Sequence, residues 1–157
     1  RKGQIMKYII LDLDGTISDD KWREKFINLR EQGQYRWHDY HLLAGFDLVC
    51  NEQLFRQTEH DIIIITSRSL MYRVITMQWL HINNIQPKYI AFRPSKSTLP
   101  SADVKNGLLT SLMLQHSIKL EDIKCAYDDC HEVCVMYRKM GLQAIQVLDR
   151  RKDDEVS

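Results

Sequence analysis

The chain has 157 residues, 44% hydrophobic and 27% charged, which is enough apolar material for one folded core and too much for a disordered or fibrous chain. Its 22 Lys and Arg nearly cancel 21 Asp and Glu, so bulk charge draws it to neither nucleic acid nor membrane, and any phosphate-binding surface has to be local. The longest aliphatic runs, Ile9-Ile10-Leu11 and Ile62-Ile63-Ile64-Ile65, are far too short to span a bilayer.

The chain opens Arg1-Lys2-Gly3-Gln4, without an apolar stretch of signal-peptide length. Met6 stands just before the first strand-like run, either as a native start or after an upstream extension. Cys50, Cys125, Cys130 and Cys134 are expected to be reduced thiols of a cytoplasmic protein. Cys125, Cys130, His131 and Cys134 suggest zinc, but their spacing matches no standard ligand pattern.

Strands are predicted at 7–12, 62–66, 89–93, 123–128 and 144–148. The first two are continuous in Ile and Leu rather than alternating, as in parallel strands covered on both faces. Apolar residues at helical spacing lie between them: Trp22, Phe26 and Leu29; Met71, Val74, Ile75 and Trp79; Val104, Leu108, Leu109 and Leu112; and Val133, Tyr137 and Met140, with Gly141 as a stop. All four stripes are expected in the core. The segment 17–61 exceeds one crossover helix and is expected to hold two helical pieces around a polar, aromatic middle, Gln34 to Tyr40. Residues 150–157 are a charged tail expected to fray. Strand–helix alternation from Ile62 onward predicts an α/β sheet with right-handed crossovers.

Ligands in open α/β sheets sit beyond the carboxyl ends of the strands. The first strand ends in Asp12-Leu13-Asp14-Gly15-Thr16, the second in Thr66-Ser67-Arg68 and the fourth in Asp128-Asp129, while Lys105 begins the helix before the fourth. Singly, each has an ordinary reading as a helix cap or solvated turn. Together they supply carboxylates, hydroxyls and a lysine of the kind that hold magnesium and a phosphoryl group.

The run Ile9 to Thr16 resembles the first signature of the haloacid dehalogenase (HAD) superfamily, the D-x-D-G-T of its phosphatases. Ile62 to Thr66 resembles the second signature, Lys105 the third (with Lys96 as an alternative) and Tyr127-Asp128-Asp129 the fourth. A narrower likeness, carried by Thr66-Ser67-Arg68, Tyr72-Arg73, Trp79-Leu80, Arg93, Asp103-Val104-Lys105 and Tyr137 to Gly141, is to the phosphatase domains of bacteriophage polynucleotide kinase-phosphatases. No G-x-x-x-x-G-K-[ST] phosphate loop is present, so this chain does not itself supply the kinase half.

The resemblance implies a Rossmannoid three-layer α/β sandwich in a single domain, 1–157. Its five-stranded, mainly parallel sheet would run in the order 3-2-1-4-5, with a cap-like insert at 17–61. It implies Asp12 as nucleophile, Asp14 as acid and base, Thr66 and Lys105 at the phosphoryl group, and Mg2+ held by Asp12, Asp14 (through its carbonyl), Asp128 and Asp129. Thr16 braces the loop or meets substrate. Ser67, Arg68, Arg73 and Arg93 are candidate substrate contacts, with Arg138 a further arginine, because guanidinium matches phosphate. Trp37, His38 and Tyr40 either stack on a base or pack the insert. The expected activity is removal of 3′-phosphates from polynucleotide ends. The rivals are a nucleotidase acting on free mononucleotides, a phospho-receiver domain and a silent binding module. The expected partner is a phosphorylated nucleic-acid end or nucleotide; no membrane is implied, and the oligomeric state stays open.

Overall fold

The computed structural model describes residues 5–27 and 37–148. Leu29, Gln34 to Arg36 and the charged tail, singled out above, lie outside them. Strand β1 (Tyr8–Leu11) leads into a two-residue strand, β2 (Ser18–Asp19), and a 3-10 turn at Lys21–Phe26. Helix α1 (Trp37–Leu42), a second 3-10 turn (Leu43–Phe46), strand β3 (Leu48–Val49) and the short helix α2 (Gln53–Arg56) follow. From there strands and helices alternate: β4 (Asp61–Ser69), α3 (Arg73–Ile82), β5 (Tyr89–Arg93), α4 (Ser101–His116), β6 (Ile123–Asp128), α5 (His131–Lys139) and β7 (Ala144–Gln146).

The main sheet is parallel throughout, in the order β5-β4-β1-β6-β7, which is 3-2-1-4-5 in the numbering of the expected strands. Side chains of a strand alternate between faces, and here both faces are apolar. Ile10, Ile63 and Ile65 join Leu109, Leu112, Val133 and Tyr137 on the α4/α5 side. Ile9, Leu11, Ile62 and Ile64 join Trp79, Leu80 and Phe55 on the other. That double burial is why the two sequence runs are unbroken in Ile and Leu, and each such side chain contributes about 1.5–3 kcal/mol.

Two features depart from expectation. The insert is not two helical pieces alone: β2 and β3 pair antiparallel, Ser18 opposite Val49, and close its base as a small ribbon. Two of the apolar stripes also turn outward in part. Met71 and Val74 are 65% and 69% exposed, while Tyr72, Thr76, Trp79 and Leu80 point inward. The physical reason is a buried guanidinium: Arg68 donates to Thr76 Oγ1 at 2.8 Å, so the inner face of α3 begins with a hydroxyl, and Met71 sits in a 3-10 turn before the helix. Trp22 is likewise half-exposed, because the inward positions of its turn belong to Arg23 and Glu24. The stripes on α4 and α5 do face the core, and Gly141 ends α5 at φ +98°.

Candidate active site

Directly after β1 the chain winds into a tight loop. The N–H groups of Thr16, Ile17 and Ser18 all donate to the carbonyl of Leu13, each at 3.0 Å, and Leu13 itself is fully buried. Gly15 lies at φ +78°, and a Cβ there would overlap the carboxylate of Asp129. Both conditions demand glycine. The loop thereby sends Asp12 and Asp14 into two different surroundings.

Asp12 is buried beside Lys105 and the end of β6. Its Oδ1 accepts from Lys105 Nζ at 2.8 Å and its Oδ2 from Thr16 Oγ1 at 3.0 Å. The same ammonium donates to Asp128 Oδ2 at 2.6 Å, and Asp128 Oδ1 accepts the N–H of Cys130 at 3.0 Å. Carboxylate oxygens of Asp12, Asp128 and Asp129 all lie within 4.8 Å of one another, and all three residues are buried. Burial and then the neighbouring Asp12 push Asp128 up to about 6, with Lys105 pulling the other way. Lys105 stays charged because Asp12 and Asp128 outweigh its own burial. Three crowded, buried oxygen donors with one cation among them suit a hard divalent ion such as magnesium. Lys96, the alternative lysine, is exposed.

Asp14 faces a separate, cationic pair. Its Oδ1 accepts from Arg23 Nη2 at 2.5 Å and from Arg68 Nη2 at 2.6 Å. Burial alone would raise its pKa, but Arg68 and Arg23 more than offset that and hold it well below the usual carboxylate range. Arg23 is in turn fixed by Asp47, through Nε at 2.7 Å and Nη2 at 2.5 Å, and donates to the carbonyl of Tyr40 at 2.9 Å. Asp47 also accepts from Ser18 Oγ at 2.5 Å and Trp22 Nε1 at 2.9 Å, while its carbonyl accepts from Trp79 Nε1 at 2.8 Å. Arg23, Asp47 and Thr76 escaped the sequence reading. No local motif marks them, and they meet Asp14 and Arg68 only through the fold.

Both clusters open on one cleft of about 750 Å³. Asp12, Asp14, Ser67, Arg68, Arg93, Lys105, Asp128 and Asp129 contribute to its wall, so most of the expected site residues are gathered there. The exceptions are informative. Thr66 is fully buried behind the wall, its Oγ1 accepting the N–H of Arg68 at 3.0 Å. Ser67 lines the cleft instead, with a buried hydroxyl that has no hydrogen-bond partner among the described residues. Arg68, expected to meet substrate, is 2% exposed and spends its donors on Asp14 and Thr76. Arg73 is exposed at the start of α3, outside the cleft wall. Arg138 donates to the carbonyl of Ala144 at 2.9 Å, also away from it. Arg93 stays at the wall, tying the ends of β4 and β5 to the following loop through Ser67 O at 2.9 Å and Leu99 O at 2.6 Å.

The cysteines do not assemble a metal site among the described residues. Cys125 donates to Ala126 O, Cys134 to Asp128 O, Cys130 to Glu132 and Cys50 to Thr16 O, and among the described residues none of the four is in a disulfide. Among the described residues no helix is long and apolar enough to cross a membrane.

Aromatic rings form one part of the remaining wall: Trp37, Tyr40, His41 and Tyr72. Burial, helped by Arg68, Arg23 and Arg93, brings His41 down from 6.5 to about 4 despite the pull of Asp14. The folded state therefore binds fewer protons than the unfolded one between these values. The stabilising contribution of neutral His41 is complete above pH 6.5 and is lost as pH falls toward 4. Urea midpoints of the wild type should drop across that window, and His41→Phe should flatten the drop.

Comparison with known proteins agrees with the geometry. Residues 6–151 match the family model described as the polynucleotide kinase PNKP phosphatase domain. No curated protein matches the sequence. Among solved structures, a chain of the Pnkp1/Rnl/Hen1 RNA repair complex superposes with a TM-score of 0.69 at 21% identity, over 94% of this chain and 44% of that one. A second structure of that complex aligns with 47% of its chain, so this chain spans less than half the length of either. A predicted phosphatase from Clostridium acetobutylicum gives a TM-score of 0.69 at 15% identity, covering 98% of this chain and 91% of that one. A HAD family enzyme from Bacteroides thetaiotaomicron, solved with magnesium and inorganic phosphate, gives 0.56 at 12% identity, covering 96% and 98%. The α/β sheet, the paired aspartates after its central strand and the match along nearly the whole sequence lead to one conclusion: the chain belongs to the PNKP phosphatase-domain family of HAD phosphatases, and is a phosphomonoesterase.

Proposed function

We propose that this chain removes 3′-phosphates from polynucleotide ends through a magnesium-dependent aspartyl-phosphate mechanism. The observation that carries the mechanism is the separation of two aspartates, two residues apart, into unlike environments. Asp12 sits with an ammonium and two more carboxylates, and Asp14 with two guanidinium groups. Nucleophilic work and proton transfer need unlike surroundings, and the guanidinium groups suit Asp14 as a base toward water, its acid step requiring a proton taken up with substrate.

In this reading a carboxylate oxygen of Asp12 attacks phosphorus and the bond to the sugar oxygen breaks. Asp14, held ionised by Arg23 and Arg68 before substrate binds, takes up a proton with the substrate and delivers it to that leaving oxygen, then takes one from the water that hydrolyses the acyl phosphate. Asp12, Asp128 and Asp129 would hold the cation, with the carbonyl of Asp14 as a further ligand. When bound, magnesium supplies charge neutralisation to the phosphoryl oxygens. Lys105 adds a fixed positive charge beside Asp12, and Thr16 orients the nucleophile by its hydrogen bond. The hydroxyl of Ser67, without a partner among the described residues, would donate to a phosphoryl oxygen, with Thr66 beside it shaping the turn. Arg68 holds Asp14 rather than substrate, and Arg93 braces the wall.

Family membership supports a polynucleotide end as substrate, and a cleft of about 750 Å³ has room for its terminal nucleotide. Phosphate release should be compared across 3′- and 5′-phosphorylated DNA, RNA and mononucleotides with magnesium. The 3′-phosphorylated oligonucleotides should exceed the matching mononucleotides in kcat/KM by about tenfold or more. Equal or better turnover of mononucleotides would favour the nucleotidase reading instead.

A further inference from the structure

The aromatic side of the cleft has no part in the chemistry above. Trp37, Tyr40, His41 and Tyr72 line it together, with Met71 at the edge. Trp37 meets Tyr40 edge-on with ring centres 5.7 Å apart, and lies within 22° of parallel to His41 at 6.0 Å. Tyr72 lies 5.0 Å from His41. The supporting rings are fastened from behind: the Tyr40 hydroxyl donates to Asp20, and the Tyr72 hydroxyl pairs with His38 Nδ1 at 2.8 Å. Trp37 is different. Half of its surface is exposed although its neighbours are packed, and Met71 beside the cleft is 65% exposed.

The wall also has a definite position relative to the reaction. The guanidinium of Arg23 lies 4.2 Å over the Tyr40 ring and at the same time binds Asp14. The rings thus adjoin the carboxylate that serves the leaving oxygen, whereas the cluster of Asp12, Asp128 and Asp129 is gathered between the ends of β1 and β6. Whatever departs from phosphorus departs past Asp14, toward aromatic faces. None of these wall side chains carries positive charge at neutral pH, so the surface is unsuited to a second phosphate and suited to a flat, apolar group.

We propose that this wall is a subsite for the nucleobase of the terminal nucleotide that bears the scissile phosphate, with Trp37 as its stacking face. The inference rests on the polynucleotide phosphatase reading above and deepens it. It makes the enzyme sensitive to whether the last residue has a base, with little regard to which base, because every base has a π-face.

Two 3′-phosphorylated oligodeoxynucleotides separate the subsite from the underlying reading, one ending in an ordinary nucleotide and the other in an abasic residue. The wild type should prefer the base-bearing end by about tenfold in kcat/KM, mostly through KM. Trp37→Ala should bring that ratio close to one, and Trp37→Phe should restore most of it. Equal wild-type turnover of both ends would overturn the subsite while leaving the phosphatase reading intact. So would a Trp37→Ala variant that slows both substrates equally, since a purely structural tryptophan behaves that way. Hydrolysis of neither oligonucleotide would overturn both.

Discussion

Asp12→Asn should lower kcat on any phosphate ester by about four orders of magnitude or more, as loss of a covalent nucleophile does elsewhere, and the protein should remain folded. The structure explains why the fold survives. Lys105 keeps its bond to Asp128, and an amide oxygen at position 12 still accepts from Thr16. Removing one of three crowded carboxylates also relieves repulsion within the cluster. Near-UV circular dichroism and a urea midpoint close to wild type, measured beside phosphate release, check both halves. Wild-type turnover by Asp12→Asn would remove the covalent mechanism.

The second large effect is expected at Lys105. Its ammonium is 2% exposed and is shared between Asp12 and Asp128, so Lys105→Met leaves two buried carboxylates without their cation. Breaking a buried pair from one side costs about 3–5 kcal/mol. Urea unfolding without magnesium should show a loss of that size, and added magnesium should recover part of it by supplying the missing charge in the folded state. A loss under about 1 kcal/mol, well short of a broken buried pair, would contradict this account of the cluster. Activity should fall as well, but stability is the cleaner reading because it does not depend on substrate.

How far the sequence revealed all this varied with the kind of interaction. The strands were legible because a parallel strand covered on both faces is written as consecutive Ile and Leu, and the sheet order followed from the superfamily likeness. The residues at the strand ends were legible too: Asp12, Asp14 and Asp128-Asp129 are costly beyond an apolar strand unless something cationic meets them. Lys105 was harder, since nothing local separates it from Lys96. Its burial against Asp12, with Lys96 exposed, supports Lys105.

What was not legible depends on contacts between distant segments. Arg23 and Asp47 stand 24 positions apart and look like ordinary surface charges, yet they anchor Asp14. Arg68 was read by the affinity of guanidinium for phosphate, but in the fold it serves a carboxylate and Thr76. That same buried guanidinium displaced the expected apolar stripe of α3, so one interaction accounts for both departures. The ribbon of β2 and β3 is too short for any periodicity to show. Ser67 gave no signal beyond lying next to Thr66; its significance comes from lining the cleft with a buried hydroxyl that has no partner among the described residues.

The most direct test of the central claim is to trap the intermediate. Wild-type protein mixed with magnesium and a 3′-phosphorylated oligonucleotide carrying a labelled phosphate is quenched in acid during turnover and digested. The label should appear on the peptide containing Asp12, and should be absent from Asp12→Asn. Rapid turnover with no label on protein, or label on a peptide lacking Asp12, would contradict the account.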